Sequence, residues 1–390
     1  MDIFEKYNLK RIINASGTMT ALGASRVSKR ISDAMAQILP EFIDMKDLQK
    51  VACEIISRLT GAEYGCLTAS AAAAITIATA ACMTGTDFYR ISKLPDTQGL
   101  KNEVVIQKGH SINFGSSIAQ MISISGAKCI EIGEATSCGS YHLIGAINEN
   151  TAAALFVVSH HTVQSRLIKL KEFIRISKKK GIPVIVDAAS EYDLRGFSEA
   201  GADIVIYSGH KFLGGPTSGI IAGKKEMVRA CYAQERGIGR GMKIGKESII
   251  GIIEALEQWN ERDTEAIRAS EDKRIQFAYN FLNNIKRLKC EYSPDQTNNP
   301  ITRLKVVVDP KISPLTAFEL SVLLAEGEPS IRVRSHHVDM GYFYLDPCNL
   351  IDGEMEIICD RIKTLMENPI NKDYKTENLV DIAVNHLKLW

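Results

Sequence analysis

The chain has 390 residues, 45% of them hydrophobic and 24% charged, and a formal net charge of +1. This is the composition of an ordinary soluble globular protein with room for one large and one smaller domain, and its charge balance gives no support to a nucleic-acid or membrane-surface partner. The nine cysteines form no CxxC pair and no Cys/His cluster at metal spacing, which argues against a zinc site or a disulfide framework and fits a reducing cytoplasm.

The N-terminus, MDIFEKYNLKRI, is amphipathic and charged and does not read as a signal peptide. After Asn14, ASGTMTALGAS is small, polar and glycine-bearing, as expected of a loop close to a site. LQKVACEIISRLTG predicts an amphipathic helix ended by Gly61. TASAAAAITIATAACMTG predicts a turn running into a buried helix; its apolar run, Ala71 to Met83, is too short and too rich in Ala and Thr to span a bilayer. Strands are expected at EVVIQKG, AKCIEIG, AALFVVSHH, IPVIVDAAS, ADIVIYSG and SGIIAGKK, with helices such as LIKLKEFIRISKKKG between them. That alternation predicts an α/β fold built on a mostly parallel, doubly wound sheet. SIIGIIEALEQWNERDTEAIRASEDKRIQFAYNFLNNI is helical by pattern and leads to a second, α+β domain with strands at LKVVVD, SIRVRSH and GYFYLDP and a helix at GEMEIICDRIKTLM. The expected division is therefore an N-terminal segment over 1–45, a large domain over 46–250, and a linker helix with the small domain over 251–390. The tail from Asn368 reads as a short helix ending at Trp390.

The segment YSGHKFLGGPTSGI places Lys211 just past the carboxyl end of an apolar strand, ADIVIY. Open α/β sheets bind their ligands at that edge. A lysine there can condense with an aldehyde to form a Schiff base. Pyridoxal 5'-phosphate needs such a lysine, an acidic partner for its ring nitrogen, a phosphate cradle and a surface to lie on. Asp187 ends the strand IPVIVD and precedes Lys211 by 24 positions, which leaves room for a crossover and a second parallel strand. Alone it reads as a helix cap; beside Lys211 it reads as the partner of the ring nitrogen. Thr68-Ala69-Ser70-Ala71 open a helix whose N–H groups suit a phosphate, with Ser70 as the direct contact and Ser208 adding a hydroxyl. His110, after its strand, is placed to stack on the ring or to be tied into a loop. Of His160, His161 and Gln164, one reaches the ring hydroxyl; the histidine pair is a poor metal site because neighbours on an extended chain point opposite ways.

Together these segments resemble the fold-type I pyridoxal phosphate enzymes (aspartate aminotransferase-like), and within them the L-seryl-tRNA(Sec) selenium transferase-like group that also contains D-glucosaminate-6-phosphate ammonia-lyase. The similarity takes in RIINASGTMTALGAS, LTGAEYGCLTASAAAAI, VVIQKGHSINFG, VDAAS, GADIVIYSGHK, SGHKFLGGPTSGIIAGKKE, GRGMKIGKESIIGIIEALE and PSIRVRSHHVDMGYFYLDP. GRGMKIGKESIIG and VVIQKGHSINFG resemble the ammonia-lyase branch more than the transferases, whose extra tRNA-binding region has no room before Arg11. The resemblance implies Lys211 as the Schiff-base lysine, Asp187 at the ring nitrogen, Ser70, Ala71 and Ser208 at the phosphate, and His110 against the ring. It also implies Arg240, Lys243 and Lys246 facing an anionic substrate or a partner subunit's cofactor phosphate, although these three equally read as a solvated basic turn. Arg332 is implied at a substrate carboxylate, which bidentate geometry suits. His210 makes an SGHK string like that of cysteine desulfurases, but AEGEPSIRVRS lacks the reactive cysteine that such enzymes carry.

The expected activity is that of a lyase. Lys211 removes the α-proton of a hydroxylated amino acid such as D-glucosaminate 6-phosphate, the β-hydroxyl leaves, and a 2-oxo acid and ammonia result. His110, His161 and His210 are the candidate proton donors to the hydroxyl. A racemase, an aldolase-type enzyme, an aminotransferase, a C–S or C–Se lyase, or a protein acting on aminoacyl-tRNA starts from the same parts. The expected partners are an anionic small-molecule amino acid and further copies of the chain, as a homodimer or larger, with no nucleic acid, membrane or metal.

Overall fold

The computed structural model describes residues 1–369; the tail expected to end in a helix at Trp390 lies outside the described residues. The chain forms two units. The larger comprises Thr18–Asp263 and Asp295–Pro300, and the smaller comprises Met1–Gly17, Thr264–Pro294 and the described chain from Ile301 to residue 369. The division thus falls after Gly17 and after Asp263, not at 45 and 250. The long helical tract is two helices, Lys246–Glu261 and Thr264–Leu282, and the chain changes unit between them.

The first strand, β1 (Ile12–Ala15), belongs to the smaller unit. The larger unit is built on β2 (Tyr64–Thr68), β3 (Glu103–Gln107), β4 (Lys128–Ile132), β5 (Thr151–Val157), β6 (Val184–Asp187), β7 (Ile204–Ser208) and β8 (Gly219–Gly223). Their order across the sheet is β2-β8-β7-β6-β5-β3-β4. β8 runs antiparallel to both neighbours and every other pair is parallel. All residues of β5 to β8 are buried, because helices cover both faces; such strands read as unbroken apolar runs. Alternate residues feed the two apolar layers: Val105 packs in one, Val104 and Ile106 in the other.

Two helices set the geometry near β2. Met45–Thr60 is capped by the Asp44 carboxylate, ends on Gly61 at φ 68°, and buries Leu48, Ala52, Ile56 and Leu59. It lies so close to β2 that a Cβ on Gly65 would come within 2.3 Å of Ile56 Cγ2. Ala71–Thr84 is apolar on all sides and buried almost throughout, as a central helix must be.

The smaller unit carries β9 (Leu288–Pro294), β10 (Thr302–Val308), β11 (Ser330–Val333) and β12 (Tyr342–Leu345). β12-β10-β9 form an antiparallel sheet, and β11 pairs in parallel with β1. Helices Thr264–Leu282 and Glu354–Glu367 complete its separate core, which includes Ile275, Leu304, Phe343 and Ile358. Residues 295–300, which join β9 to β10, pack with the larger unit.

Candidate active site

The pairing registers align the carboxyl ends of the central strands. Thr68 of β2 lies opposite Gly219, Gly219 opposite Ser208, Ile206 of β7 opposite Asp187, and Asp187 opposite Val157 of β5. β7 runs into a tight turn at 209–215. The Gly209 N–H donates to the Ser218 carbonyl and the Gly215 N–H to the Gly209 carbonyl. A Cβ on Gly209 would sit 2.2 Å from both Ile252 Cδ1 and Ser218 Oγ, so only glycine closes this turn. The turn presents Lys211, whose Nζ donates to Ser190 Oγ at 2.6 Å. Ser190 lies three residues past Asp187, so β6 and β7 deliver the amine and the carboxylate to one place.

Burial raises the Asp187 pKa, opposed by the Lys211 charge and by the Ala189 N–H, which donates to Oδ1 at 3.1 Å. A carboxylate held in this way gains most from a cation set against it. His110 is buried. Its Nδ1 accepts from the Val157 N–H at 3.2 Å, its ring meets Phe156 edge-on at 4.4 Å, and burial lowers its pKa to about 4. His110 is thus tied to the backbone, one of the two places its sequence position suggested. His210 is also buried, with its pKa lowered by burial and by Lys211, and its Nδ1 lies 3.0 Å from Ser208 Oγ.

The start of helix Ala71–Thr84 is the candidate cradle. Ser70 Oγ accepts from the Ala73 N–H and the Ser70 carbonyl from the Ala74 N–H, which leaves the first N–H groups, of Ala71 and Ala72, without intrahelical partners. Gly219 passes so close that a Cβ would lie 2.2 Å from the Ser70 carbonyl oxygen. The Met242 carbonyl accepts from the Ala69 N–H and from Thr68 Oγ1, which brings the GRGMK segment to the same corner.

The remaining candidates differ in placement. Arg240 and Lys243 flank Met242 and are exposed, whereas Lys246 Nζ donates to the Glu41 carbonyl. His160 and His161 lie in a turn with ring centroids 3.9 Å apart, so the opposite orientation expected of an extended chain does not hold. No group of three or more metal-ligating side chains occurs among the described residues. The Gln164 amide is folded onto the Ser159 and Thr162 carbonyls. Arg332 sits on β11 of the smaller unit, in register with Asn14 of β1, and its Nε is buried without a hydrogen bond. A cavity of about 640 Å³ in the larger unit, lined by Lys46, Cys53, Tyr64 and Tyr232 among others, contains none of these residues. Ser190 is the residue that sequence reasoning missed. It stood in the VDAAS segment, but nothing local marks a serine as the acceptor of an amine 21 residues away.

The L-seryl-tRNA selenium transferase (SelA) family model matches residues 12–271. The chain is 37% identical over 367 residues to the D-glucosaminate-6-phosphate ammonia lyase of Salmonella typhimurium, covering 94% of this chain and 98% of that one. It is 36% identical to the 5'-C-glycyluridine monooxygenase-decarboxylase of a Streptomyces species, covering 91% and 90%. A solved D-glucosaminate-6-phosphate ammonia-lyase structure superposes with a TM-score of 0.85, at 37% identity over 94% of this chain and 98% of that chain. Aspartate aminotransferase from Thermus thermophilus shares the fold at 12% identity, with a TM-score of 0.55 over 92% of each chain. The protein therefore belongs to the L-seryl-tRNA selenium transferase family of fold-type I pyridoxal phosphate enzymes.

Proposed function

We propose that this chain is a pyridoxal-phosphate-dependent ammonia-lyase acting on a hydroxylated, anionic amino acid, with D-glucosaminate 6-phosphate the first compound to test. The observation that carries the cofactor reading is the meeting of Lys211 with buried Asp187 at the carboxyl edge of the sheet; the reaction class rests on likeness to the Salmonella enzyme. The residues present fit the cofactor. Asp187 is a buried carboxylate that a protonated ring nitrogen would complete, and the first N–H groups of helix Ala71–Thr84 offer a phosphate seat that a Cβ on Gly219 would crowd. Lys211 would carry the group, His110 would pack on its face, and Ser70 with Ala71 would hold the phosphate. Ser208 can give its proton to the phosphate when His210 keeps its own on Nδ1. His161 and Gln164 would face the ring hydroxyl.

When bound, pyridoxal phosphate supplies an electron sink for the α-carbanion of an amino acid. Asp187 holds the proton on the ring nitrogen, and Lys211 Nζ takes the α-proton of the substrate. The departing hydroxyl also needs a proton. His110 and His210 suit that role poorly, because burial keeps both neutral and each has Nδ1 engaged. Exposed His161 is the better donor of the three. Arg240, Lys243 and Lys246 supply the positive charge that an anionic substrate requires, which for Lys246 means releasing the Glu41 carbonyl. We assign the enzyme to the cytoplasm as a homodimer or larger assembly; among the described residues, no helix is long and apolar enough to cross a membrane.

The test is to incubate the protein with pyridoxal phosphate and D-glucosaminate 6-phosphate and assay ammonia and 2-oxo acid. Equal release of both, abolished in Lys211→Ala, is expected. A second reading, favoured by the 36% identity to the Streptomyces enzyme, is oxidative decarboxylation of a glycyl nucleoside. Oxygen uptake and carbon dioxide release from 5'-C-glycyluridine, with no ammonia from the sugar acid, would select it.

A further inference from the structure

The amine of Lys211 is oriented by Ser190, and Ser190 is itself held from a distant part of the chain. The Asn299 side-chain amide donates to the Ser190 carbonyl at 3.3 Å, and its Oδ1 accepts from the Tyr192 N–H at 2.9 Å. One side chain thus fixes the backbone on both sides of residue 191. Asn299 is held in turn. Asp295 Oδ1 accepts from the Thr297 N–H at 3.0 Å, the Asn299 N–H at 3.4 Å, the Asn299 amide at 3.3 Å and Thr297 Oγ1 at 2.7 Å. Backbone N–H groups and a side-chain amide converging on one oxygen favour a carboxylate at Asp295.

Thr297 Oγ1 also lies 3.0 Å from Glu191 Oε1. A hydroxyl has one proton. If it is spent on Asp295, the Glu191 contact is a hydrogen bond only when Glu191 carries a proton of its own. Burial raises the Glu191 pKa to about 8, in agreement with that arrangement. The loop 295–300 and the segment 190–192 are therefore locked by a closed set of hydrogen bonds, and Ser190 Oγ is the end of the set that meets Lys211.

We propose that Asn299 is a positioning residue for Lys211, acting through Ser190, with Asp295, Thr297 and Glu191 as its mount. The proposal rests on Lys211 being the reactive lysine, but it concerns the protein before any cofactor binds.

The experiment measures, by mass spectrometry, how fast acetic anhydride labels Lys211 in cofactor-free protein across a range of pH. Wild type is compared with Ser190→Ala, Asn299→Ala and their double variant, with melting curves to show that each is folded. Ser190→Ala removes an acceptor that favours the charged amine, so the labelling rate below the midpoint is expected to rise roughly tenfold. Asn299→Ala is expected to raise it about threefold by loosening the same serine, and the double variant should match Ser190→Ala alone. Thr297→Val, which keeps the shape and loses the hydroxyl, should change the rate in the same direction by less. An Asn299→Ala protein that labels like wild type while Ser190→Ala does not, or effects of the two that multiply, would overturn the proposal; if Asn299→Ala does not fold, Thr297→Val labelling like wild type overturns it. Because no cofactor or substrate is present, this outcome is separate from whether the protein proves to be a lyase.

Discussion

Glu191 and His110 are both buried in the larger unit, yet they respond to pH in opposite directions. Burial lowers His110 from 6.5 to about 4. Between those values the unfolded chain binds a proton that the folded one does not, so His110 withdraws stability as pH falls through that window. Burial raises Glu191 from 4.5 to about 8. There the folded chain holds a proton that the unfolded one has released, so Glu191 withdraws stability as pH rises from 4.5 to 8. Glu191→Gln keeps the size and the neutral form. Its melting temperature should approach that of wild type near pH 5 and exceed it near pH 9, by a free-energy difference of a few kcal/mol at most. Melting curves for the two proteins that stay parallel from pH 5 to 9 would contradict a protonated Glu191. Lys211, Asp187 and His110 stood out in the sequence because Asp187 ends a readable apolar strand and the other two follow one by three residues. Glu191 and Asn299 were not legible: 108 positions separate them, and their meeting depends on how residues 295–300 pack.

At the scale of elements, the sequence showed the strands that are buried on both faces, since continuous Val and Ile runs leave little else to build. It did not show β2, whose YGCLT is short and lacks β-branched residues until its last position. Gly65 is there for the close approach of Ile56, a requirement set by a helix and not by the strand. β9, LKCEYSP, was missed for another reason: it is half-exposed and carries charge, as an outer strand of the small sheet does. The helical tract after Gly245 read as continuous because Arg262 and Asp263 are neither Gly nor Pro, yet the helix ends at Glu261. The contact between β8 and the helix that starts at Ala71 is the element pair on which the proposed phosphate seat depends. Gly219→Ala would press a methyl group on the Ser70 carbonyl, at a cost of about 1–3 kcal/mol. Pyridoxal phosphate titrations should show affinity falling at least tenfold while the protein stays folded; wild-type affinity would remove this corner from the site.

For the whole molecule, the sheet order places the chemistry. Because β6 and β7 are parallel neighbours, Asp187 and the turn after Ser208 emerge on the same edge, and antiparallel β8 returns Gly219 to that edge beside the helix cradle. Fold class was legible from the alternation of strands and helices, but the position of the antiparallel strand, and so the corner where Ser70 meets Gly219, came only with the structure. The two units have separate cores, and the sequence separated them 13 residues early because Lys246–Glu261 packs on helices of the larger unit. The central claim is that this edge holds pyridoxal phosphate through Lys211. The most direct measurement is borohydride reduction of the protein with pyridoxal phosphate, which fixes any lysine linkage permanently, followed by peptide mapping. The account predicts one phosphopyridoxyl group per chain, on Lys211; a label on another lysine, or none, would contradict it.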